Sequence, residues 1–164
     1  MIRKAATKDL EDILEIVEDA QQSLKSRGID QWQNGYPNRE SILADIRKNV
    51  GVVAICNNEI AAYAAIIING EPEYENLDCK WLSNQDYVVI HRICVRKTRT
   101  HQGFASILMQ EAEEIALQNN VHSFKIDTHK DNEYMLNLLG NEGFTFCGEI
   151  HYPHGERIAF EKLL

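Results

Sequence analysis

A titratable imidazole sits inside an apolar run, Val88-Val89-Ile90-His91-Arg92-Ile93-Cys94-Val95. The run passes directly into a basic turn and a glycine, Arg96-Lys97-Thr98-Arg99-Thr100-His101-Gln102-Gly103-Phe104-Ala105-Ser106. Histidine changes charge near neutral pH, so His91 in such a setting suits general-base work; the competing account is a buried histidine that binds a carboxylate and ties the sheet together. The period of two along a strand groups His91 with Val89, Ile93 and Val95. After the strand, the turn opens a helix. The first N–H groups of a helix lack intrahelical partners and bind anions, and Gly103 with the small Ala105 allows a close approach to them. Arg96, Lys97 and Arg99 add local positive charge of the kind a pyrophosphate requires. The sequence has no Gly-x-x-x-x-Gly-Lys-Ser/Thr loop and no Gly-x-Gly-x-x-Gly after the first strand, which removes the usual nucleoside triphosphate and dinucleotide sites.

The elements that must hold these residues follow from periodicity and punctuation. Ile2 to Ala5 reads as a first strand. Thr7 is placed to cap a helix whose Leu10, Ile13, Leu14, Ile16, Val17, Ala20 and Leu24 recur at helical spacing, with Gly28 as its stop. Asn38 opens a second helix to about Lys48. Asn57-Asn58 joins two strands as a tight hairpin, since asparagine tolerates positive φ. Asn69 to Asp86 is polar and irregular, anchored by Trp81 and Leu82. After the strand through His91, a helix runs from Gly103 to about Gln118, and a strand covers Ser123 to His129. Asn132 caps a helix ending at Gly143, and two final strands, Phe144–Gly148 and Arg157–Glu161, are joined by His151–Glu156. The order is β-α-α-β-β-β-α-β-α-β-β, which implies an α/β fold with a mixed sheet and helices on its faces, in one domain over residues 1–164.

Composition bounds the function. Of 164 residues, 44% are hydrophobic and 26% charged, ordinary values for a globular chain. The formal charge of −8 argues against nucleic acid and against an anionic membrane surface as partners. No run has the length of a membrane span or a signal-peptide core. Cys56, Cys79, Cys94 and Cys147 are scattered without metal or redox spacing, which points to a reducing, cytoplasmic setting. His101, His151 and His154 do not make a metal site.

The stretch from His91 through Ala105 resembles the strand-turn-helix of the GNAT superfamily of acyl-CoA-dependent N-acyltransferases, whose pattern there is Gln/Arg-x-x-Gly-x-Gly/Ala. Thr100-His101-Gln102-Gly103-Phe104-Ala105 keeps the glycine and the final small residue, and departs from the pattern at Thr100. Asp127-Thr128-His129-x-x-Asn132, then Met135 and Gly143-Phe144, resembles the family's later strand, helix and Gly-Phe motif. Gly28-Ile29-Asp30-Gln31-Trp32 with Tyr36-Pro37 looks like a bacterial subgroup. The resemblance implies a central, mostly antiparallel sheet with helices on both faces and a splayed strand pair. It implies acetyl-CoA as co-substrate, no metal, and direct transfer of an acetyl or short acyl group to a primary amine. The backbone of Ile93, Cys94 and Val95 would pair with pantetheine, and a strand N–H near Ile93 would polarise the thioester oxygen. Arg99 and the segment Thr100, His101, Gln102, Gly103, Phe104, Ala105 and Ser106 would hold the pyrophosphate end, and Asn132 and Met135 the pantetheine.

The family's usual acid, a tyrosine, falls on Leu139 in this chain, so the proton for the leaving thiolate would come from water or from a residue such as Tyr152. His91 is the first candidate for base. Trp32, Tyr36 and Trp81 would form an aromatic wall for the acceptor, or else anchor their own loops to the core. Glu71, Glu73, Glu75 and Asp78 would attract a cationic acceptor or form a solvated loop. The acceptor, whether small molecule or peptide, is not named by the sequence, and homodimers are common in the family. The reading from another class is a non-catalytic acyl-CoA sensor or interaction module on the same fold, which the departures at Thr100 and Leu139 keep open.

Overall fold

The computed structural model describes residues 1–75 and 80–164; Asp78 and Cys79, named above, lie outside the described residues. The elements are β1 (Ile2–Lys4), α1 (Leu10–Ser26), α2 (Arg39–Arg47), β2 (Gly51–Cys56), β3 (Glu59–Ile68), β4 (Val88–Val95), α3 (Phe104–Gln118), β5 (Ser123–Thr128), α4 (Glu133–Asn141), β6 (Thr145–Tyr152) and β7 (Gly155–Leu163). Short 3-10 turns stand at Thr7–Asp9, Pro72–Glu75 and Lys97–Arg99. The seven strands have the order β1-β2-β3-β4-β5-β7-β6. β1–β2, β2–β3, β5–β7 and β6–β7 pair antiparallel, whereas β4 and β5 pair in parallel over Val88↔Phe124 and Val89↔Lys125. This is the mixed, mostly antiparallel sheet that the resemblance implies.

The chain forms two compact units, each drawn from separated stretches: residues 1–66 with 91–109, and residues 67–90 with 110–164. The first unit is packed around Ile13, Ile16 and Val17 of α1, Ile42 of α2, Tyr63 of β3 and Cys94 of β4. The α1 residues are those whose helical spacing marked a buried face. Asn38 caps α2 as expected: its Oδ1 accepts from the Ser41 N–H at 3.0 Å while its own N–H donates to Ser41 Oγ at 2.8 Å. The start of α1 differs from expectation. Asp9, not Thr7, does the work there, accepting from the Ala6 N–H at 2.8 Å and pairing with Arg3 at 2.7 Å. A carboxylate outcompetes a hydroxyl because both its oxygens accept and it also draws the arginine. The hairpin turn is as read, with Asn57 at φ 52 and Asn58 at φ 60.

The second unit is centred on Tyr74, Tyr87, Val89, Ile150 and Ala159, with Trp81 and Tyr152 packed against them. The polar segment before β4 is tied down at several points. The Glu161 carboxylate accepts from the Leu82 N–H (3.0 Å), Ser83 Oγ (2.7 Å) and Ser123 Oγ (3.1 Å), and the Lys80 N–H donates to the Cys147 carbonyl at 2.9 Å. Lys125 Nζ lies 4.5 Å from the Trp81 ring centre and 4.9 Å from that of Tyr87. The two final strands are longer than their apolar cores suggest. β6 continues through Tyr152 and β7 begins at Gly155, so the expected connector of His151–Glu156 is mostly ladder, closed by a tight turn at Pro153-His154.

Candidate functional site

In the first unit, the turn after β4 is built much as its sequence suggests, but its charge is differently spent. Gly103 has φ 83 and opens α3, and the Ile107 N–H donates to the Gly103 carbonyl at 3.0 Å. The N–H groups of Phe104, Ala105 and Ser106 therefore precede the first intrahelical bond, the arrangement that suits an anion. An added Cβ at Gly103 would meet nothing within 4 Å, so the glycine is there for its conformation rather than for lack of space. His101, too, is left-handed (φ 62) and exposed. Thr100 Oγ1 donates to the Lys97 carbonyl at 3.2 Å and Gln102 Nε2 to the Thr98 carbonyl at 3.4 Å, so both side chains brace the turn itself.

The three turn cations differ. Arg96 is buried, donates from Nε to the Ile60 carbonyl at 2.7 Å, and pairs with Glu15 (3.3 Å) and Glu59 (3.5 Å). Arg99 pairs with Glu59 at 3.3 Å. Lys97 is exposed. Arg96 thus fastens the turn to β3 and α1, which corrects its expected place as free positive charge for a ligand.

β4 carries an unforeseen feature. Arg92 has φ 56 in the middle of the strand, a left-handed backbone that costs a non-glycine residue about 1–2 kcal/mol. Its guanidinium makes a two-pronged pair with Asp45 of α2, Nε to Oδ2 at 2.8 Å and Nη2 to Oδ1, and Nη1 donates to the Tyr36 hydroxyl. Tyr63 donates to the same Asp45 Oδ2 at 2.6 Å. Burial alone would lower the Arg92 pKa; the bonds to Asp45 and the neighbouring Tyr36 outweigh it and hold the cation firmly charged. The left-handed step falls between His91 and Ile93, so the period of two that grouped them does not pass through this point unbroken. Burial, followed by the charge of Arg92, pushes the His91 pKa down to about 4.

His91 is therefore neutral at pH 7, and this has a measurable consequence. An unfolded chain protonates His91 near 6.5, whereas the native chain resists until about 4, so stability falls as pH drops through that window. The expected loss by pH 4 from this group is roughly 3 kcal/mol. Urea titrations at pH 7, 5.5 and 4 check it. His91→Gln should lose less stability over the same range than the wild type, and equal slopes for both would refute the assignment.

Trp32 (φ 63) is packed against the first unit's core, and Tyr36 is 44% exposed, its ring 5.9 Å from the Arg92 guanidinium. Trp81 belongs to the second unit, where its Nε1 donates to the Tyr74 carbonyl at 2.9 Å and its ring lies 5.0 Å from that of Tyr74.

In the second unit, Tyr152 does not stand alone. It donates to Asp127 Oδ2 at 3.1 Å, and Tyr74 donates to the same oxygen at 2.7 Å. Burial raises the Asp127 pKa against the opposing pull of the two hydroxyls, and burial with the Asp127 charge holds both tyrosines protonated. The His154 ring stacks on Tyr152 at 4.9 Å. Asn132 caps α4, its Oδ1 accepting from the Met135 N–H at 3.3 Å. Leu139 is fully buried. Asp45, Tyr63 and Arg92 in one unit and Tyr74 in the other were not singled out from sequence, and Asp127 entered only as part of a motif; for Tyr63, Arg92 and Asp127 the available signal was a charged or hydroxylated side chain inside a buried strand. Among the described residues no group of three or more His, Cys, Asp or Glu is arranged to hold a metal, and no helix is long and apolar enough to cross a membrane.

The chain matches the sequence model of the Acetyltransferase (GNAT) family over residues 10–144. Among solved structures, it is similar to an acetyltransferase of the GNAT family from Streptococcus agalactiae 2603, with 32% identity and a TM-score of 0.90 over 100% of this chain and 95% of that one. It shares the fold of a GNAT-family acetyltransferase from Listeria monocytogenes 4b F2365 (20% identity, TM-score 0.77, 100% and 94% covered). It also shares the fold of the PaiA N-acetyltransferase from Thermoplasma acidophilum, solved in complex with coenzyme A (18% identity, TM-score 0.70, 100% and 98% covered). No curated protein matches the sequence significantly.

Proposed function

The chain belongs to the acetyltransferase (GNAT) family, and from that premise we propose that it transfers an acetyl or other short acyl group from acyl-CoA to a primary amine by direct attack. The observation that carries the reading is the end of α3, where Gly103 is left-handed and the N–H groups of Phe104, Ala105 and Ser106 precede the first helical bond. That end takes the pyrophosphate, with Arg99, Thr100, His101 and Gln102 shaping the turn around it. The backbone of Ile93, Cys94 and Val95, beyond the two residue pairs that join β4 to β5, pairs with the pantetheine arm, and Asn132 and Met135 at the start of α4 contact its far end. The coenzyme A bound to the Thermoplasma acidophilum protein supports the co-substrate.

The acceptor nitrogen attacks the thioester carbon, and the C–S bond breaks to release CoA thiolate. The Ile93 N–H stabilises the oxygen as it gains charge. We assign to His91 the proton the amine loses and to Tyr152 the proton the thiolate gains; burial makes the first a weaker base and the second a weaker acid than either is in water. Trp32, Tyr36 and Trp81 contact the acceptor. The protein works in the cytoplasm on a small-molecule or peptide amine.

Thermal unfolding with and without millimolar acetyl-CoA tests the reading. A ligand bound only by the native state adds about 2.7 kcal/mol at a hundredfold excess over Kd, so the midpoint should rise clearly. Release of free CoA on adding amines should follow. A folded protein with an unchanged midpoint would overturn the proposal.

A further inference from the structure

Three separate elements act on one strained residue. Asp45 of α2 grips the Arg92 guanidinium with both oxygens, Tyr63 of β3 locks that carboxylate through Oδ2, and Tyr36 of the loop before α2 accepts the remaining guanidinium nitrogen. Asp45 is 4% exposed, and its helix is itself fixed by the Asn38 cap. Arg92 meanwhile holds φ 56, a conformation glycine adopts freely and arginine does not. A left-handed residue turns the peptide that follows it away from the direction kept by extended neighbours. That following peptide contains the Ile93 N–H.

We propose that Asp45 and Tyr63 are positioning residues: by clamping the Arg92 side chain they hold its backbone left-handed, and so aim the Ile93 N–H at the thioester oxygen. This rests on the acyl-transfer reading above. The guanidinium serves as a handle on the backbone and touches no substrate. Removing the clamp lets residue 92 relax to extended geometry and turns the donor away, whereas a glycine there keeps the turn without any clamp.

The test compares Arg92→Ala, Arg92→Gly and Asp45→Asn, with acetyl-CoA and n-butylamine as probe substrates and thiol release as the readout. Loss of one such donor costs about a hundredfold or more in turnover, so Arg92→Ala and Asp45→Asn should lower kcat by at least about tenfold with KM for acetyl-CoA nearly unchanged. Arg92→Gly, made together with Asp45→Asn so that no unpaired carboxylate stays buried, should keep kcat within about threefold of wild type, whereas Arg92→Ala with the same second change should not. Equal loss in these two double variants would overturn the proposal. An NMR coupling constant at residue 92 provides a second readout independent of turnover. It should report the left-handed angle in wild type and Arg92→Gly and an extended one in Asp45→Asn. Should wild type release no thiol with n-butylamine, this angle alone decides whether the clamp sets the backbone, while acetyl-CoA stabilisation decides the acyl-transfer reading separately; a left-handed residue 92 in Asp45→Asn refutes the clamp.

Discussion

Replacing Glu161 by alanine is expected to lower the free energy of unfolding by roughly 3–5 kcal/mol, a large part of the ordinary margin of a domain this size. The carboxylate is fully buried and satisfies the Leu82 N–H, Ser83 Oγ and Ser123 Oγ, so its removal leaves three donors without an acceptor. Glu161 also offsets the desolvation that lowers the Lys125 pKa, so the ammonium loses support at the same time. Glu161→Gln keeps one accepting oxygen and should cost about half as much. Urea midpoints measure the loss. Hydrogen exchange locates it, because the Leu82 amide should exchange faster in the alanine variant while amides of α1 and α2 change only with global unfolding. A loss below about 1 kcal/mol would mean that water replaces the carboxylate at little cost.

The largest functional effect is expected from Gly103→Asp. It puts a carboxylate beside the N–H groups of Phe104, Ala105 and Ser106, where it competes with the pyrophosphate for the same donors and repels it. Affinity for acetyl-CoA should fall about a hundredfold, close to 2.7 kcal/mol. Gly103→Ala is the control. Its Cβ meets nothing within 4 Å, so only the strain of φ 83 remains, and affinity should fall less than about tenfold. Isothermal titration of both variants separates charge from strain. If aspartate and alanine weaken binding equally, the phosphate does not lie at this helix end.

The local parts of this fold were legible because their causes are local. The succession of strands and helices, the caps at Asn38 and Asn132, and the left-handed pair Asn57-Asn58 each depend on residues a few positions apart. Gly103 could be singled out for the same reason. What escaped the sequence depends on distance along the chain. Arg92 and Asp45 are 47 residues apart, Tyr74 and Asp127 53, and no periodicity forecasts such pairs. Arg96 shows the converse error. Beside Lys97 and Arg99 it reads as free charge, yet its partner Glu15 lies 81 residues away, and burial turns a ligand candidate into a fastening. The connector before β7 was underestimated because His151 and Tyr152 lack the apolar signature of a buried strand, while the backbone ladder that includes them is indifferent to side chains.

The strand order leaves β1 and β6 at the margins of the sheet, and both are poor templates for a strand from another molecule. β1 spans three residues, Ile2–Lys4, and two of them are cations. β6 is long, but Phe146 pairs with Phe160 and Gly148 with Ala159, so Cys147 is a supernumerary residue that kinks the margin midway. A visiting chain would find its run of amides and carbonyls interrupted there. The Phe146 ring, 58% exposed on that same strand, can therefore remain in water without seeding a growing stack of copies, and the protein should tolerate the crowded concentrations at which flat sheet margins begin to polymerise.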